Sequence, residues 1–181
     1  MPLNTPNRGY TYPTYTDPAA FPTQEQLFAT QVDADVEALE NAIIAGKNQP
    51  TARLFNSVAQ SIPNATNTNA TWDTEQYDNA GFFPGSGATI TIPSPGAYLI
   101  SYRGTFATND TGYRQARGIV GGTTTIMGRS SNAGSTGPVA ITFVGIYGFF
   151  AGNTFTVSLQ QSSGGALNIT SSTLSIVKVA T

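Results

Sequence analysis

The sequence predicts a mainly β protein, in which an extended N-terminal arm and a short helix precede a jelly-roll β-sandwich. Two patterns predict the sandwich. From Ala52 onward Thr and Val recur with a period of two, as in strands that bury one face. Clusters of Gly, Asn and Ser cut this stretch into eight or nine short strands, which suits a sandwich or jelly roll. A third pattern sets the N-terminus apart: five prolines in the first 22 residues, then apolar residues at heptad-like spacing. The segments are therefore an arm over 1–22, a helix with its caps over 23–46, and a β-domain over 47–181.

In the arm, Pro2, Pro6, Pro13, Pro18 and Pro22 disfavour helix and favour extended backbone. Tyr10, Tyr12, Tyr15 and Phe21 are interleaved with them. Flexible linkers are poor in aromatics, so the arm is expected to dock by burying these four rings on a partner; a disordered tail is the alternative.

The helix is expected over 24–45. Thr23 is placed as N-cap of a Thr-x-x-Gln capping box closed by Gln26, Gly46 as the C-terminal glycine, and Pro50 follows. Ala29, Val32, Val36, Leu39 and Ile43 are spaced 3, 4, 3 and 4 apart, an a/d seam suited to a short parallel trimeric bundle. Packing of the same stripe on the chain's own β-domain is the alternative. The helix carries Glu25, Asp33, Asp35, Glu37 and Glu40 with no base before Lys47. Three such helices repel one another, and together they suit a basic docking surface.

The β-domain strands are expected at 52–60, 70–73, 88–92, 97–107, 113–120, 123–129, 139–150, 154–161 and 173–179, separated by turn clusters such as Pro84–Gly87 and Ser130–Gly137. The segment from Phe143 to Phe150 is apolar on both of its faces. A sandwich strand needs only one apolar face. The second implies either a further buried surface between subunits or a central strand covered by a loop.

Composition excludes much chemistry. There is no cysteine and no histidine, so thiolate nucleophiles, Ser-His triads and the commonest metal ligands are absent. Asp73, Glu75 and Asp78 do not have EF-hand spacing. With Asp110 they are the only acids of the β-domain, too few for a convincing glycosidase pair. No enzyme activity, cofactor or metal is expected. MPLNTPNRGY lacks the basic and apolar regions of a secretory signal, and no apolar run reaches the length of a membrane span. Residues 1–100 hold nine acids and three bases, and residues 101–181 one acid and five bases. This asymmetry suggests different partners for the two ends, and no basic cluster of the kind that binds nucleic acid is present. Arg114 and Arg117, three apart on one strand, fall on opposite faces; one is expected in solvent and the other paired across a subunit boundary.

Four motifs, in order, carry a resemblance. They are Trp72-Asp73-Thr74-Glu75-Gln76-Tyr77-Asp78-Asn79-Ala80-Gly81-Phe82-Phe83; Ile90-Thr91-Ile92-Pro93-Ser94-Pro95-Gly96-Ala97-Tyr98; Thr154-Phe155-Thr156-Val157 with Gln161-Ser162-Ser163-Gly164; and Ser172-Thr173-Leu174-Ser175-Ile176. Over about residues 52–181 the chain resembles the complement-type globular head of the tumour-necrosis-factor-like jelly-roll superfamily. The resemblance implies a homotrimer around an axis lined with aromatic and aliphatic side chains. Phe143, Tyr147 and Phe149 would then join Val32, Val36, Leu39 and Ile43 at the trimer interface.

A second resemblance lies in Thr5-Pro6-Asn7-Arg8-Gly9-Tyr10-Thr11-Tyr12-Pro13, Thr16-Asp17 and Val32-Asp33-Ala34-Asp35-Val36-Glu37-Ala38-Leu39. These residues resemble the start of tailed-phage virion appendage proteins. This implies a structural protein on the phage particle surface, a minor tail or fibre-type trimer. Its arm would join other virion proteins and its head would be displayed for attachment to a host-surface glycan. A trimer that decorates and cements the capsid is the alternative.

Overall fold

The computed structural model describes residues 3–4, 11–12, 21–133 and 137–180. The chain divides into two compact units, Met1–Asn48 and Gln49–Thr181.

In the first unit, β1 (Leu3–Asn4) pairs antiparallel with β2 (Thr11–Tyr12), with Leu3 opposite Tyr12. Of the expected docking residues, Tyr10 and Tyr15 lie outside the described residues; Tyr12 is in β2, and Phe21 begins the helix. The helix α1 spans Phe21–Lys47, longer than expected at both ends. Thr23 is therefore a helical residue and not the N-cap. Pro22 takes the second helical position, where the missing N–H would have no partner in any case. Gly46 lies inside the helix without a left-handed φ, and the Asn48 N–H continues the pattern by donating to Ile44 O at 3.0 Å.

Among the described residues the second unit holds eleven strands in two sheets. Their ranges are β3 (Thr51–Phe55), β4 (Gln60–Ile62), β5 (Thr68–Asn69), β6 (Thr74–Asp78), β7 (Ile90–Thr91), β8 (Gly96–Phe106), β9 (Tyr113–Val120), β10 (Thr124–Asn132), β11 (Val139–Phe149), β12 (Thr154–Gln161) and β13 (Leu167–Ala180). The first sheet has the order β11-β8-β13-β3-β6, with β4 also on β13; the second has the order β10-β9-β12-β5, with β7 also on β12. Every strand pair is antiparallel.

The strands from β8 to β12 follow the period-two reading closely. The turn after β9 shows why: Gly121 and Gly122 have φ of +60° and +76°, and the Thr123 N–H closes the turn on Val120 O. Two positive φ values in succession give a turn that matches strand twist. Elsewhere the structure differs from expectation. The stretch 52–60 breaks after Phe55, and the first half of β13, rich in Asn, Thr and Ser, is strand because β4 and β8 flank it. The segment Thr74–Asp78 is strand despite its polarity, since it is an edge strand held by β3.

The inward faces meet in one core. Tyr98, Ile100, Tyr102 and Phe106 of β8 face Trp72, Phe82, Phe155, Val157 and Leu159, all buried. Ring contacts run through it: Trp72 is edge-on to Tyr102 at 6.2 Å, and Tyr98 is edge-on to both Phe82 and Phe149. Such pairs add to the area they bury.

Burial raises the Tyr102 hydroxyl well above the ordinary tyrosine range, against a smaller opposing effect of the Ser172 hydroxyl, which donates to it at 3.2 Å. A raised native value means that the unfolded chain loses this proton first, near pH ~10. The associated stability is complete below that pH and falls as pH rises toward the native value. Melting temperature should therefore drop above about pH 10, and Tyr102→Phe should flatten the drop. The variant should cost about 1 kcal/mol at neutral pH, because Ser172 loses its acceptor. Parallel melting curves for the two proteins would refute the assignment.

Candidate functional site

The outward face of the β11-β8-β13-β3-β6 sheet is the candidate site, and register assembles it. Ile146 lies opposite Leu99, and Leu99 opposite Val177. The next row runs Val144, Ser101, Ser175, Arg53 and Tyr77. The row after it holds Thr142, Arg103 and Thr173. One end of the face is thus apolar and the other polar and basic.

At the apolar end Val144 and Ile146 are 61% and 65% exposed; Phe150, in the turn just after β11, is 75% exposed, and elsewhere on the sheet Tyr77 and Val179 are exposed as well. Clusters of exposed large apolar side chains mark interaction surfaces, whereas scattered ones do not. At the basic end a depression of about 410 Å³ is lined by Arg53, Arg103 and the hydroxyls of Ser101, Thr105 and Thr173. Neither arginine forms an ion pair among the described residues.

β11 is the edge strand of its sheet, so the reading of a central strand under a loop does not hold. Its two apolar faces are real, but Phe143 and Phe149 turn inward, 6% and 3% exposed. Phe143 stacks on Tyr102 at 5.2 Å, and Tyr147, half-buried, is edge-on to Phe149 at 4.9 Å. The exposed residues are their neighbours Val144 and Ile146. A period-two pattern shows that neighbours oppose one another; pairing with Tyr98, Ile100 and Tyr102 decides which set is inside.

Within α1, Val36, Leu39 and Ile43 are 47%, 50% and 54% exposed, and Val32 is half-buried. Leu27 and Ile44 are exposed as well, so the helix presents a wide apolar surface.

The acids near the first motif serve the fold. The Ser57 N–H and hydroxyl and the Thr74 hydroxyl hold the Asp73 carboxyl below its ordinary value. Asp78 accepts the N–H groups of Ala80, Gly81 and Phe83, fixing the loop that delivers Phe82 and Phe83 to the core. Among the described residues no three acids gather as metal ligands. Arg114 and Arg117 do occupy opposite faces, but Arg114 is neither solvated nor paired across a boundary. It is fully buried over the Phe106 ring, and its guanidinium donates to the carbonyls of Asn109, Thr111 and Tyr113. Charge-dipole bonds to backbone replace an acidic partner there.

No protein-family model and no curated protein matches the sequence. Solved structures do match in three dimensions. Murine APRIL at pH 8.0 aligns with a TM-score of 0.58 at 15% identity, covering 72% of this chain and 99% of that one. The globular domain of zebrafish complement 1qA protein gives 0.54 at 8% identity, covering 72% and 97%. The Eiger TNF from S. frugiperda gives 0.53 at 16% identity, covering 74% and 94%. The fold is a tumour-necrosis-factor-like jelly roll. At such identities the likeness is one of fold alone. The jelly roll accounts for nearly the whole length of those domains. Among the described residues, no helix is long and apolar enough to cross a membrane.

Proposed function

We propose that the chain is a non-enzymatic, homotrimeric virion appendage protein, anchored by its N-terminal arm and displaying its jelly-roll domain for attachment to a host-surface glycan. The observation that carries the oligomeric part is the apolar end of the outward sheet face, where Val144 and Ile146, with Phe150 in the turn after them, stand exposed beside a sheet whose other face is already a complete core. The interface is drawn through these residues and not through Phe143 and Phe149, which the core uses. The exposed seam of Val36, Leu39 and Ile43 offers a second self-complementary stripe. The virion setting is supported by the resemblance of the Pro- and Tyr-rich arm and the acidic helix to phage appendage proteins. Tyrosines offer large contact area at low rotamer cost, which suits a docking arm.

Light scattering on the purified chain should give about three times the 18.9 kDa monomer. Deleting residues 1–20, which end before α1, should leave a trimeric β-rich protein that no longer joins particles made without the native copy. Raising salt should weaken docking only in part, since aromatic burial is not screened. A monomer at micromolar concentration would refute the trimer. Normal incorporation of the truncated protein would move attachment to the β-domain and favour the capsid-cementing role.

A further inference from the structure

We propose that the outward face of the second sheet carries a binding site for an acidic saccharide, a sugar with a single carboxylate. The proposal rests on the attachment reading for its setting, and on the following chemistry for its site.

A groove of about 430 Å³ crosses β10, β9, β12 and β5. That volume falls within the roughly 300–1,000 Å³ of small-molecule sites. Two rows of the sheet form its floor. In one, Thr125, Ile119 and Thr156 lie opposite one another; in the next, Arg117, Ser158 and Asn69 do. Hydroxyl and amide side chains both donate and accept, as the hydroxyls of a sugar require. Ile119 gives an apolar spot for a C–H face.

Among the described residues Arg117 is the only charged one lining the groove. Its Nη2 donates to Asn67 Oδ1 at 2.6 Å, while its Nε is buried without a partner. Among the described residues no carboxylate pairs with it. Opposite it on β10 stands Gly128, where a Cβ would come within 3.1 Å of Arg117 Cγ, so the glycine leaves room for the arginine stem. A half-buried guanidinium held by one amide keeps donors free for an anion that enters the groove. Its planar fork matches a carboxylate. One cation among neutral hydroxyl groups fits one negative group on a polyol. A multiply sulfated or phosphorylated ligand would need further cations, and the described lining offers none.

The test is calorimetric titration of the full chain with a glucuronate-containing oligosaccharide, its neutral glucose counterpart and sodium sulfate. The acidic oligosaccharide should bind at least tenfold more tightly than the neutral one, the weight of a charge-assisted pair. Arg117→Gln should remove that preference, and Thr156→Val should weaken both sugars. Melting temperatures establish that each variant is folded. Sulfate binding as tightly as the acidic sugar would overturn the saccharide assignment in favour of a bare anion site. Unchanged affinity in folded Arg117→Gln, or no binding at all, would overturn the site. If the trimer and its particle incorporation persist in those cases, the attachment scaffold stands without this site. Saccharide binding by a monomeric chain would keep the site and refute the trimer.

Discussion

Replacing Leu39 with Asp is expected to shift the protein from trimer to monomer at micromolar concentration. The residue is half exposed in the single chain and sits at the centre of the Val32–Ile43 seam. In a parallel trimer three copies would meet near one axis, so the change places three carboxylates together where three leucines packed. Uncompensated buried charge costs about 3–5 kcal/mol, and the lower end alone is roughly a hundredfold in a dissociation constant. Val36→Asp should act in the same way. Ala38 is exposed and lies off the seam, so Ala38→Asp should leave the trimer intact, apart from mild repulsion with the neighbouring acids. The readout is light scattering across a concentration series. If all three variants remain trimeric, the helix is not a bundle, and the apolar end of the jelly-roll face alone holds the subunits together.

Trp72→Ala is expected to be the most damaging single change in the jelly roll, costing about 3–5 kcal/mol. Total stability for a domain is typically about 5–15 kcal/mol. Trp72 is among the largest fully buried side chains; it meets Tyr102 edge-on, and its backbone N–H donates to Gly87 O at 2.7 Å. The alanine variant leaves a cavity between the sheets and loses the ring contact. Trp72→Phe should cost much less. The indole Nε1 is buried without a hydrogen-bond partner, so phenylalanine removes an unsatisfied donor, worth about 1–3 kcal/mol, while giving up some packing. Urea denaturation of the three proteins measures the difference. A loss below ~1 kcal/mol for the alanine variant would show that the surrounding core collapses freely around the site.

Part of this protein was determined by its sequence alone. Alternation in the stretches that became β8, β9 and β12 is enough to make strands, because a period of two can bury only one face of a pleated sheet. The absence of cysteine and histidine bounds its chemistry, and the heptad spacing of Val32, Val36, Leu39 and Ile43 marks a stripe whose last three members are exposed. Other features needed tertiary structure. Parity is the clearest: Phe143 and Val144 are equally apolar neighbours, and only pairing with Tyr102 and Ser101 turns the first into core and the second into surface. Arg114 and Arg117 are alike in sequence, yet backbone carbonyls from residues 109–113 accept from the terminal nitrogens of one, while the other lines an open groove built from strands distant in sequence. The polar first half of β13 has little strand character of its own and is strand because β4 and β8 satisfy its backbone on both sides. In each case local propensity stops at the residue, whereas burial and pairing depend on partners that only the fold brings together.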